Sequence, residues 1–237
     1  MMSDETQSDA PSVPASDDGG GKDKNREAED AEYTATKTVS ADVAENTGVS
    51  QEAHAADTVL LYYQTMLDDR LGSLFECERL YIYWETDTDY KTVFNTSIEH
   101  QLITDSGAYD VSAKLIENSL IVDDGWIRRK NPGMVVKVVG SDILGEGIQT
   151  KALAAEIKGA LLVRAGWSEL DAAKNKKVLI LSEDLLKTQA VKTAAAIYLA
   201  KAMYPVLFES VDPDEALKLL TAEERGKAAS GIFVFEN

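Results

Sequence analysis

Aromatic side chains and a lysine gather in one short stretch of the chain. Tyr81, Tyr83 and Trp84 fall in the strand-like run RLYIYWE, and Tyr90-Lys91-Thr92 follows in the next loop. At the carboxyl end of a parallel strand, where open α/β sheets bind ligands, such rings could stack on a flat or bulky organic molecule. Lys91 could then meet its negative charge. Period-two alternation puts Tyr81 and Tyr83 on one face and Trp84 on the other. The same alternation offers a plainer role, in which strand residues, Tyr81 first, belong to the core. Tyr83 reaches a ligand only because it stands nearer the strand end.

Other chemistries lack their residues. Gly140, Gly145 and Gly147 follow a strand but form neither GxGxxG nor GxxxxGK[ST], and Gly145-Glu146-Gly147 reads as a turn. His54 and His100 lie in different segments without an i, i+4 partner, so both are expected at the surface and no side-chain metal site is expected. Cys77 is the one cysteine, which precludes an intrachain disulfide. Flanked by Glu76 and Glu78 it is disfavoured as a thiolate, and it is expected as a structural thiol. No GxSxG occurs, and Asp123-Asp124 reads as a helix cap rather than an acid–base pair. These absences argue against an enzyme, and no cofactor is expected.

The elements that must position the aromatic cluster alternate. Residues 53–75 carry Val59, Tyr62, Tyr63, Met66, Leu67, Leu71 and Leu74 at helical spacing, which predicts a long amphipathic helix ending near Gly72-Ser73. Strands are expected over 79–85, 134–140 and 177–182, the last two as continuous apolar runs of the kind buried in parallel sheets. Helices are expected over 108–118, started by Asp105-Ser106-Gly107, and over 125–130, 150–162, part of 183–204, and from Asp212-Pro213 onward. GIFVFEN suggests an edge strand. This order predicts an α/β class, a single three-layer lobe with a mostly parallel sheet flanked by helices and preceded by a long connecting helix.

Composition sets the outer bounds. The chain has 237 residues and a formal charge of −17. Residues 1–58 contain no Leu, Ile, Phe or Trp, and Tyr33 is their one aromatic, so they bury too little apolar surface to offset ordering entropy. Residues 1–50 are therefore expected as a disordered acidic linker, 51–77 as the long helix, and 78–237 as the lobe. The acidity disfavours nucleic acid as a partner. No apolar run reaches the ~20 residues of a membrane span, and the start MMSDETQSDA lacks a signal-peptide pattern.

Taken in order, several segments resemble one family. LLYYQTMLDDRLGSL is similar to the end of the rigid helix joining the two lobes of substrate-binding proteins that serve iron-siderophore and cobalamin ABC importers. ERLYIYWETDTDYKTV resembles their strand and YKTV loop, and DSGAYDVSAKLIEN their cleft-facing helix. WIRRKNPGMVVKVV, RAGWSELDAAKNKKVLILSEDLL, IYLAKAMYPVLFESVDPDEALK and the final GIFVF continue the match. The resemblance covers about residues 55–237 and is to the C-terminal lobe.

The resemblance implies a solute-binding lobe for an iron-siderophore or related metal chelate, with a ferric chelate or corrinoid as ligand and an ABC permease as partner, outside the cytoplasm. It implies ligand contacts at Tyr83, Trp84, Tyr90, Lys91 and Lys187, where Lys187 stands in for an arginine of the family's Gly-Pro-Arg. It places permease docking at Glu146 or Glu156, although Glu156 also reads as an ordinary solvated helix position. An acidic tail stands where the family has its first lobe, so the expected alternatives are a separate first lobe, self-association over the open cleft face, or a degenerate half that only contacts a permease or partner.

Overall fold

Strands of five or six mostly apolar residues offer no regular polar face, so they must be covered on both sides. The computed structural model, which describes residues 51–116 and 120–236 with side chains from Thr58 onward, shows this arrangement. The expected disorder of residues 1–50, and the side chain of His54, lie outside the described residues.

The elements run α1 (Gln51–Leu71), β1 (Tyr81–Glu85), α2 (Ile98–Asp105), β2 (Tyr109–Asp110), α3 (Asp124–Lys130), β3 (Met134–Val139) and β4 (Gly145–Glu146). They continue with α4 (Ala152–Leu162), α5 (Asp171–Lys174), β5 (Val178–Ser182), α6 (Gln189–Met203), α7 (Pro213–Arg225), β6 (Gly231–Ile232) and β7 (Val234–Phe235). The main sheet has the order β2-β1-β3-β5-β7. Its first four strands are parallel, and β7 closes the edge antiparallel to β5. A small antiparallel pair joins β4 to β6, so Gly145-Glu146 is a strand segment rather than a free turn.

Alternation along the strands divides the core. Ile82, Trp84, Met134, Val136, Val138, Leu179 and Leu181 face one side and pack under α1, α2, α6 and α7. Tyr83, Val135, Val139, Val178 and Ile180 face the other and pack under α3, α4 and α5. The alanines of α6 are mostly buried, which lets that helix lie close to the sheet. Tyr81, expected in the core, is instead 54% exposed and lies beside Tyr109, with ring centroids 5.3 Å apart at the β2 edge. Cys77 is exposed, contrary to its expected structural role.

Of the helix expected over 108–118, the described residues 108–116 instead form strand β2 and a turn, and a helix lies earlier, at Ile98–Asp105. Ser97 starts it, its side chain accepting from the His100 amide at 3.1 Å. Asp105-Ser106-Gly107 ends that helix instead of starting one. Gly107 sits at φ 81, and a Cβ there would lie 2.6 Å from Leu71 Cδ2. The other helices fall where expected within a few residues, α7 with Asp212 accepting from the amides of Asp214 and Glu215.

Trp84 gives this fold a testable feature, because it is fully buried and its indole N–H has no hydrogen-bond partner among the described residues. Trp84→Phe removes that orphaned donor together with some volume and is expected to cost less than about 2 kcal/mol, whereas Trp84→Ala is expected to cost roughly 3–5 kcal/mol. Urea unfolding of the two variants measures the gap.

Candidate functional site

Four parallel strands point their carboxyl ends the same way, and the segments that follow β1, β3 and β5 leave the sheet at that end. Glu85 is the last residue of β1 and stands opposite Lys137 in the middle of β3. Both point to the face under α4. Glu85 has no exposed surface, and Lys137 is 4% exposed. Charges in such a place persist only if paired and fully hydrogen-bonded.

They are paired in a closed ring. Lys137 Nζ lies 3.0 Å from Glu85 Oε1 and 2.9 Å from Asp89 Oδ1. Arg164 grips Glu85 through both nitrogens of its fork, at 2.8 and 3.1 Å, and reaches Asp89 Oδ1 at 3.0 Å. Each cation thus touches both carboxylates. The Tyr83 hydroxyl donates to Glu85 Oε2 at 3.0 Å, and burial followed by the Glu85 charge pushes that hydroxyl far above its ordinary pKa. Arg164 is desolvated, yet Glu85 and Asp89 together hold its charge more firmly than usual.

Aromatic rings fix the guanidinium. Arg164 lies 4.2 Å from the Tyr90 ring centre and 4.8 Å from that of Trp167. Both rings are tethered by Asp124, whose Oδ1 accepts from the Tyr90 hydroxyl at 3.0 Å and the Trp167 indole at 2.7 Å. The turn from Arg164 to Trp167 needs Gly166 at φ 79, where a Cβ would lie 2.4 Å from Arg128 Cδ. Tyr90 itself sits at φ 61, a region costly for a bulky side chain and kept where its surroundings over-determine it. The loop closes through the Thr86 amide to Lys91 O at 2.8 Å, and Lys137 Nζ also donates to Asp87 O at 3.1 Å.

The residues expected from the sequence are dispersed. Tyr83 and Trp84 are 0% exposed and pack into opposite cores, Tyr83 supporting the ring from beneath. Tyr90 is half-buried against Arg164, and the neighbouring Lys91 is exposed. Lys187 is exposed after β5 and pairs with Asp184 at 2.5 Å, so each holds the other in its charged form. Glu146 pairs with Arg225 at 3.0 Å and Lys227 at 3.6 Å. Glu156 is exposed on α4. His100 is not free at the surface, its Nδ1 lying 2.9 Å from the buried Asp110 carboxylate. Asp123 caps α3 as expected, whereas Asp124 belongs to the site. A cleft of about 430 Å3 between α1, α2 and α6 contains none of the expected residues.

Glu85, Asp89, Asp124, Lys137, Arg164 and Trp167 are not among the site residues expected from the sequence, where Asp124 reads only as part of a helix cap. Lys137 carried a signal, being the charge inside the apolar run MVVKVV. Arg164 carried none, since its partner lies 79 positions away. Among the described residues no group of three or more His, Cys, Asp or Glu is placed to hold a metal ion, and no helix is long and apolar enough to cross a membrane.

The ring predicts a stability pattern. Glu85→Ala leaves two cations facing a buried void and is expected to cost roughly 3–5 kcal/mol, measured by chemical denaturation at neutral pH. The Asp89 carboxyl is held below its usual range, first by the Lys137 hydrogen bond and also by Arg164. Its contribution is complete above the unfolded carboxyl pKa and is lost as the pH falls through the lower folded value. Asp89→Asn should therefore remove part of the acid dependence of unfolding while leaving the protein folded.

Known proteins show where this architecture recurs. No protein-family model and no curated relative matches the chain. Solved structures do match. The TroA-like periplasmic binding protein FepB of Veillonella parvula shares 24% identity at a TM-score of 0.68, over 78% of this chain and 56% of its own. The molybdate periplasmic binding protein MolA of Haemophilus influenzae, with molybdate bound, shares 20% at 0.59, over 74% and 51%. CeuE of Helicobacter pylori, in a nickel–histidine complex, shares 12% at 0.54, over 72% and 51%. The chain spans about half the length of these proteins. It has the fold of ABC-type periplasmic solute-binding proteins.

Proposed function

We propose that this chain is a solute-binding lobe of an ABC importer, corresponding to the C-terminal lobe of such proteins, and that it takes an iron-siderophore or related metal chelate. The observation that carries the reading is the built ionic and aromatic site at the carboxyl edge of a sheet with this fold. A metal would arrive as cargo inside its chelate, and the lobe's part would be to receive the chelate's organic and anionic surface. Tyr90 and Lys91, beside the ring, and Lys187 after β5 are the side chains we assign to that contact. Tyr83 supports it from within, and Trp84, also expected at the ligand, packs into the opposite core.

On the same reading the lobe works outside the cytoplasm and docks to a permease through exposed carboxylates. Glu156 is open for this, while Glu146 would exchange its contacts with Arg225 and Lys227 for basic residues of the permease. The burial of Tyr83 and Trp84 favours one second reading, a lobe that keeps its partner contact and has lost its ligand.

Tryptophan fluorescence decides between them, because Trp167 touches Arg164. Titration of the purified chain with ferric siderophores, ferric citrate, haem and cobalamin, with metal-free chelators as controls, is expected to give saturable quenching by one class. Lys91→Glu should weaken that binding about fivefold or more, the scale of an exposed charge contact. No saturable response to any of the four would leave the partner-contact reading.

A further inference from the structure

We propose that Lys137 and Arg164 form an anion site, that the Asp89 carboxylate holds its place in the unliganded protein, and that a solute bearing a carboxylate or oxyanion binds by displacing Asp89. This rests on the solute-binding reading and specifies the group through which the solute is held.

The two carboxylates of the ring have different standing. Glu85 has no exposed surface and uses both oxygens, accepting from Arg164, Lys137 and Tyr83. Asp89 has a side chain 69% exposed and meets both cations through the single atom Oδ1. Glu85 cannot leave without stranding charge in the core, whereas Asp89 can turn into water. With Glu85 in place, departure of Asp89 leaves the Lys137 ammonium and the Arg164 guanidinium with one uncompensated positive charge. Their Asp89-facing hydrogen-bond positions then converge on the point that Oδ1 had occupied. One oxygen of a carboxylate, phosphate or molybdate suits that point.

The two cations are pre-organised for such an exchange. Lys137 and Arg164 have side chains only 5% and 12% exposed. Arg164 remains stacked on Trp167 and forked onto Glu85 whatever happens to Asp89. Asp89 lies on the short loop between β1 and the Tyr90 position, and Tyr90 holds φ 61. A rotation confined to this loop would release the carboxylate and shift the ring that Tyr90 lays on Arg164. Because Asp89 is exposed, its hold is weak, and an internal competitor of this kind lowers solute affinity by about fivefold. It also keeps the surplus positive charge of the desolvated pair from standing uncompensated when no solute is present.

The test uses the full chain and small free anions in place of a ferric chelate. Isothermal titration calorimetry with citrate, inorganic phosphate and molybdate is expected to show at least one binding Asp89→Asn about fivefold tighter than the wild type. Asp89→Glu, which keeps the charge, should stay near the wild type, and Arg164→Lys in the Asp89→Asn background should lose the gain. Circular dichroism confirms that each variant is folded, and Asp89→Ala serves as a second neutral variant. Equal or weaker anion binding in both neutral variants, or no binding of any of the three anions in the millimolar range, overturns the proposal. That failure is separate from failure of the solute reading. Saturable quenching of the wild type by a ferric chelate would still support a binding lobe, held by groups other than this pair.

Discussion

A glutamate with no surface, set between two parallel strands, is what the edge of this sheet depends on. Glu85 lies opposite Lys137 and within reach of Arg164 and the Tyr83 hydroxyl. An apolar residue in its place would leave Lys137 buried without its inner partner and would remove the anchor that brings the end of α4 to the end of β1. Such buried pairs seldom add net stability, since desolvation offsets most of the attraction. What this one adds is placement, because three side chains, Tyr83, Lys137 and Arg164, are held by the geometry of a single carboxylate.

The same pair constrains the sheet. Glu85 and Lys137 share a face with Tyr83, Val135 and Val139, while Trp84, Val136 and Val138 lie on the other. A slip of either strand by one residue would drive a charge into the alanine-rich layer under α6 and turn Trp84 toward α4. Apolar runs such as VLILS tolerate slippage far better, because either face can be buried. The charges therefore specify register where hydrophobicity alone does not, and the loop after β1 inherits that register through Lys137 and its bond to the Asp87 carbonyl.

Much of this architecture is legible in the sequence, and the failures have physical causes. Strands β1, β3 and β5 announce themselves as short apolar and aromatic runs, and α1, α3, α4, α6 and α7 as periodic or capped segments. Strand β2 has two residues and is made by pairing with Tyr81 and Ile82, which no local pattern reveals. Asp105-Ser106-Gly107 has the composition of a helix start, but the close approach of Leu71 to Gly107 makes it a helix end. At the site, Tyr90 was visible through its loop, and Lys137 stood in plain view inside MVVKVV. Tyr83 and Trp84 were chosen for their rings, yet alternation assigned both to cores. Arg164, Asp124 and Trp167 converge only through tertiary folding, so their spacing along the chain carries no trace of the site.

Charge and enclosure make different demands on a binding surface. A good pocket encloses about 70–90% of a ligand's surface, and enclosure requires walls on several sides. The chain spans about half the length of the solved proteins that share its fold, and the ring lies at one edge of one sheet. Contact with a charged group is a more local demand. At physiological salt an exposed charge is felt over only about 8 Å, so what matters is whether a few donors converge on one atom of the solute. Two desolvated cations, pre-positioned by a buried glutamate and two rings, satisfy that condition within a single lobe. On the proposed reading such a lobe selects first by the anionic group it can hold, and the shape of the rest of the solute is judged by whatever surface closes over it.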